Sequence, residues 1–176
     1  MKSLETVQKT FRVFQTLTKI AMILSFVWAG LAALGLLCGI VWNGGGAVIG
    51  ADRELLYTLT ETNGLAQLIA VLLGETIMAL TDGTLLAFAY GYFKAEQADG
   101  TPFTHSGADQ IKRLGIRTIV LPLVAVIVIA VVFAVFDVPQ PAGSDWSNLS
   151  SVSTGIVLIL AGILFRYGAD LEEKAS

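Results

Sequence analysis

The sequence predicts an all-α integral membrane protein, a four-helix bundle with both termini in the cytoplasm and a short amphipathic interfacial helix at its N-terminus. Three observations predict it: a scarcity of charge, four apolar runs of spanning length, and a lopsided distribution of lysine and arginine. Of 176 residues, 55% are hydrophobic and only 14% are charged. A soluble domain carries roughly a quarter charged residues, so this chain lacks the polar surface to face water on all sides. Its length leaves room for one membrane domain over residues 1–176.

The first apolar run, residues 20–42, contains no charge. At about 1.5 Å per residue it crosses a hydrocarbon core of about 30 Å. It is too long for a signal-peptide core and follows a polar lead, so it is read as a retained anchor. The second run, residues 65–93, is interrupted by Glu75 and Asp82. The third, residues 116–136, is rich in Val and Ile, but its unbroken length selects a membrane helix over a buried strand. The fourth covers residues 149–165.

Orientation follows from the basic residues. Lys2, Lys9, Arg12 and Lys19 precede the first run, Lys94, Lys112, Arg113 and Arg117 lie between the second and third, and Arg166 and Lys174 follow the fourth. The two remaining loops share only Arg53. Ten basic residues against one place the termini and the central loop in the cytoplasm. Leu4, Val7, Phe11, Phe14 and Leu17 recur at helical steps between charged positions, which predicts the interfacial helix before the first span. Outside, Asn43-Gly44-Gly45-Gly46 signals a turn and residues 53–60 a short helix, while the second outer loop carries Pro139 and Pro141. Trp42 and Trp146 fall where interfacial aromatics belong.

In the central loop, Thr104 is read as the N-cap of a new helix, Phe103 as its staple residue, and Asp109 as a complement to the dipole. The stretch Gly100-Thr101-Pro102-Phe103-Thr104, followed by Ile111-Lys112-Arg113-Leu114-Gly115, resembles the G-x-P-F-[ST] … [KR]-[KR]-[LI]-[GR] pattern of small bacterial four-helix membrane proteins grouped as domain of unknown function 2975. The tail from Phe165 to Glu173, an apolar helix closing at Gly168 and followed by acids that include Glu172 and Glu173, is similar to that family's ending. The resemblance covers the whole hydropathy plan, and these two stretches carry it residue by residue. Two acids in the second span depart from it. The resemblance implies a four-helix fold in a bacterial inner membrane and an accessory, immunity, stress-response or regulatory role in preference to metabolism.

The second span holds the chemistry. Glu75 and Asp82 are seven residues apart, so they share one helix face about two turns from each other. A carboxylate at the bilayer centre costs roughly 2.5–3.5 kcal/mol on insertion scales. No lysine, arginine or histidine lies deep in another predicted span to offset that. At about 10 Å the two charges would repel by only about 1.6 kcal/mol even at an effective dielectric of 20. They are too distant to share one proton, and desolvation governs each separately. The acids are therefore neutral, solvated in a cavity, or matched by a cation or partner. Glu75, Asp82, Thr76 and Thr81 form the candidate cation or proton site; protonated acids bonded to Thr76, Thr81, Ser153 and Thr154 are the structural alternative, and a contact with another subunit is the third.

Elsewhere the signals are weaker. Gly35-Leu36-Leu37-Cys38-Gly39 is a small-xxx-small pattern, read as intramolecular packing. His105 is read as a solvated loop residue, and Tyr90, Tyr92 and Trp28 as packing or interfacial residues. One cysteine and one histidine supply no zinc spacing, and a net charge of -3 argues against a nucleic-acid partner. With no catalytic constellation or phosphate loop, the sequence points to a non-enzyme without cofactors or metal. Its expected partners are the lipid bilayer and either a protein partner or further copies of itself. The readings of its role are an accessory, immunity, sensory or regulatory membrane protein, a minimal cation- or proton-coupled transporter, and a structural subunit of a larger complex.

Overall fold

The computed structural model describes residues 2–41, 64–99, 104–140 and 149–175. Among them the chain forms four helices, α1 (Lys2–Val41), α2 (Gly64–Asp99), α3 (His105–Val135) and α4 (Leu149–Ala175), and no strand. Each contains a stretch long and apolar enough to cross a membrane: Arg12–Cys38, Ala66–Gln97, His105–Val135 and Ser151–Leu171. Over the described residues the protein is all-helical with four such stretches, as the sequence predicts.

The helices outrun the apolar runs. α1 is one unbroken helix of 40 residues, so the N-terminal segment expected as a separate interfacial helix is its opening turns. No Gly or Pro interrupts residues 2–29, and a nucleated helix extends at little cost. Likewise the basic stretch around Lys112 and Arg113 is continuous with the apolar part of α3. α4 runs through Gly168 to Ala175, where the family resemblance implies a stop at that glycine. The expected turn at 43–46, the helix at 53–60, Trp42, Trp146, Pro141 and residues 100–103 lie outside the described residues.

The chain divides into two compact units. The first comprises Met1–Ile23, Asp82–Pro122 and Asn148–Ser176. Here α3 and α4 run antiparallel and nearly touch. A Cβ on Gly115 would lie 2.8 Å from the Gly155 carbonyl oxygen, and one on Gly162 would lie 3.0 Å from the Ala108 oxygen. Ala108 and Gly115, like Gly155 and Gly162, are seven apart, so each helix offers a row of small residues to its neighbour. At one end of this pair Arg166 reaches Asp109 at 3.8 Å, while His105 stands 3.7 Å from Asp170 and 3.5 Å from Glu173. His105 thus opens α3 with acidic neighbours rather than lying in a loop. The predicted cap is present: Gly107 N–H donates to Thr104 Oγ1 at 2.9 Å, and Ala108 N–H to the Thr104 carbonyl at 3.0 Å. Phe14 of α1 stacks on Phe93 of α2 with ring centroids 6.0 Å apart.

The second unit comprises Leu24–Thr81 and Leu123–Ser147. Its core joins Ala70 and Val71 of α2 to Ile129 and Phe133 of α3, with Ile77, Met78, Val132, Phe136 and Val138 packed around them. Ser25 of α1 donates to the Ala79 carbonyl at 2.8 Å. A Cβ on Gly35 would lie 3.8 Å from the Leu72 side chain, an ordinary packing contact within the chain, while the surroundings of Gly39 lie outside the described residues. α3 ends in a Schellman cap, in which Val138 N–H donates to Phe133 O at 3.2 Å and Asp137 N–H to Ala134 O at 3.3 Å. Asp137 takes the left-handed position with φ 51°.

Candidate functional site

α2 carries the acids, and it is the most enclosed of the four helices: 39% of its spanning window is buried, against 11–17% for the others. Glu75 lies in the second unit and is half-buried. Asp82 begins the first unit's part of α2 and is exposed. Among the described residues neither acid has an ion-pair partner.

The two threonines between them are committed to the helix. Thr76 Oγ1 donates to the Leu72 carbonyl at 2.7 Å, and Thr81 Oγ1 to the Ile77 carbonyl at 2.8 Å. A hydroxyl has one proton to give. Both threonines can therefore accept the O–H of a neutral acid or coordinate a cation, but they cannot donate to a carboxylate. Ser153 and Thr154 are exposed on α4.

Two buried polar residues of α2 escape the sequence reading. Glu96 is only 2% exposed and lies 14 residues beyond Asp82, so Glu75, Asp82, Ala89 and Glu96 form one row at seven-residue steps along a single face. The Glu96 carboxyl occupies the space beside Gly107: a Cβ there would overlap Oε1 and stand 2.9 Å from Cδ. Only glycine leaves that space, and the acid consequently sits at the N-terminus of α3, where the helix dipole favours negative charge. The second residue is Gln67, 7% exposed, whose Oε1 has no hydrogen-bond partner among the described residues. The seven-residue step from Asp82 was the available signal for Glu96, hidden because the apolar run ends at Phe93. Nothing in the local sequence distinguishes Gln67 from a solvent-facing glutamine.

Of the residues that carry the family resemblance, Thr104 is the cap of α3, Lys112 and Arg113 are exposed, and Gly168 is half-buried inside α4. Gly100, Pro102 and Phe103, and the side chain of Glu172, lie outside the described residues. Among the described residues no group of three or more His, Cys, Asp or Glu side chains is arranged to hold a metal ion. No family model, curated protein or solved structure matches this chain.

Proposed function

We propose that this chain is a small multi-pass protein of the bacterial cytoplasmic membrane, with both termini inside, acting as an accessory, immunity or regulatory subunit that meets a membrane-embedded partner through the acidic face of α2. The distribution of charge supports the orientation. The first unit holds ten basic and eight acidic residues, the second one basic and six acidic. Positive charge collects on the cytoplasmic side of membrane proteins, and the ends of the chain belong to the basic unit.

The observation that carries the subunit reading is the exposure of Asp82. Arg117 of α3 stands over the Phe88 ring of α2 at 4.0 Å, and no charged residue follows Arg117 until Asp137. Those 19 residues, 118–136, measure about 28 Å along a helix and define the hydrocarbon thickness. Asp82 is six residues from Phe88, about 9 Å into that layer. An acid exposed at such depth stands against lipid unless a protein or water covers it, and a protein surface with a donor or cation removes the cost.

A photo-crosslinking amino acid at Leu86, one turn from Asp82 and partly exposed, tests this in native membranes, with Leu164, 67% exposed, as the control. A single protein adduct from position 86 alone, weakened by Asp82→Asn, is expected. Lipid adducts from both positions would overturn the subunit reading. The carrier reading draws on a different observation, a half-buried Glu75 on a helix whose Thr76 and Thr81 hydroxyls give their protons to the backbone and keep oxygens able to accept. Transient currents on a solid-supported membrane after proton, sodium or organic-cation jumps, lost in Glu75→Gln, would establish it.

A further inference from the structure

The first unit has a collar of unneutralised basic side chains. Lys94, Lys112, Arg113 and Arg117 are all exposed, and among the described residues none is ion-paired, whereas Arg166 and His105 both have acidic neighbours. Arg117 is held by an aromatic ring instead of an acid, 4.0 Å above Phe88. A cation on a ring face is positioned but not neutralised, and its N–H donors stay available to an anion. Arg113 lies one turn below Arg117 on the same face of α3.

What adjoins these arginines identifies the occupant. Ile116, Val120 and Phe88 are 45%, 47% and 37% exposed, so the charged end of this face passes directly into bare apolar surface. A soluble anion would satisfy the arginines and make no contact with that surface. A ligand that presents an anion at one end and an apolar length at the other satisfies both.

We propose that Arg113 and Arg117, steadied by Phe88, bind the phosphodiester of an anionic glycerophospholipid, with an acyl chain along Ile116 and Val120. Guanidinium groups suit this because their forked donors match phosphate oxygens two at a time. A zwitterionic lipid brings its own ammonium and gains less. This site is separate from the acidic face of α2, and either reading can fail without the other.

The test uses the full chain, delipidated in detergent, titrated with dioleoyl phosphatidylglycerol or dioleoyl phosphatidylcholine and followed by native mass spectrometry. The wild-type protein is expected to prefer the anionic lipid. Neutralising both arginines (Arg113→Gln with Arg117→Gln) should weaken anionic-lipid binding by about 25-fold, roughly fivefold for each basic residue at an anionic surface. Lys9→Gln, exposed and remote in sequence, should leave the preference intact. Arg113→Lys with Arg117→Lys keeps the charge and guards against misfolding of the neutral pair; a threefold or greater loss there supports forked recognition. An undiminished preference in both double variants would overturn the proposal. So would displacement of the lipid by millimolar inorganic phosphate, which would mark a free-anion site.

Discussion

The two units of this protein are held together by different chemistry. In the first, helices meet through missing side chains and through polar groups: Gly115 against Gly155, Glu96 in the space beside Gly107, Arg166 with Asp109, and Arg117 over Phe88. In the second, Ala70, Val71, Ile129 and Phe133 pack as a conventional apolar core, with the Ser25 hydroxyl bonded across to the Ala79 carbonyl. Where lipid is as apolar as the side chains, transfer to a core gains little, so close backbone contact and dispersion must hold helices together. Capping and ion pairing, as at Thr104 and between Arg166 and Asp109, each add a modest contribution.

The largest effect should come from filling the α3–α4 contact. A Cβ on Gly155 would already overlap Ile119 Cγ1 and lie 2.8 Å from the Gly115 carbonyl oxygen. Gly155→Leu has to push the two backbones apart along the whole row of small residues. We expect a loss above the roughly 1–3 kcal/mol of ordinary overpacking, read as a lower midpoint in sodium dodecyl sulfate unfolding followed by circular dichroism. A matched exchange on the exposed side of α1, Gly30→Leu, where nothing lies within 4 Å of a Cβ, should change the midpoint little. Equal effects at both glycines would mean that the α3–α4 contact is not what holds the first unit.

The intermediate effect couples two residues. Gly107→Ala drives a methyl into the Glu96 carboxyl and should cost about 1–3 kcal/mol. The space reopens if the acid is shortened, so Gly107→Ala in a Glu96→Ala background should cost distinctly less than in the parent. Such non-additivity is what neighbouring residues show in a double-mutant cycle. Additive effects would separate Glu96 from Gly107 and break the contrast at its most polar point.

These positions also mark how far the sequence can be read. The four spanning helices, their apolar centres and the Thr104 cap were legible, because each depends on residues adjacent along the chain. The acidic face at Glu75 and Asp82 was legible as a row, since seven-residue spacing fixes a helix face. Its continuation to buried Glu96 was not, because what buries that acid is a glycine eleven residues later, on another helix. For the same reason Gly155 and Gly162 looked no different from Gly35 until their neighbours were placed. The exposure of Asp82 was also out of reach, since spacing shows which residues share a face but not what the face meets.

The smallest effect sharpens the second unit and has the opposite sign. Asp137 ends α3 with φ 51°, in a cap where Val138 packs on the Phe133 core and Pro139 follows. Two costs sit on this one residue. A side chain in the left-handed region is disfavoured by roughly 1–2 kcal/mol, less for Asp, which tolerates that region better than most. A negative charge at a helix C-terminus opposes the dipole by about 0.3–1 kcal/mol. Asp137→Gly removes both and should stabilise the protein by about 1 kcal/mol, after allowing for the extra freedom of glycine in the unfolded chain. Asp137→Asn removes only the charge and should gain part of that. Asp137→Ala also removes the charge but keeps a Cβ and lacks the side-chain carbonyl that makes the conformation tolerable, so it should fall below Asn. The order Gly, Asn, Ala in unfolding midpoints would show that backbone conformation dominates at this cap. Ala equal to Asn would assign the cost to charge instead, and Ala above Gly would rule out the left-handed cap itself.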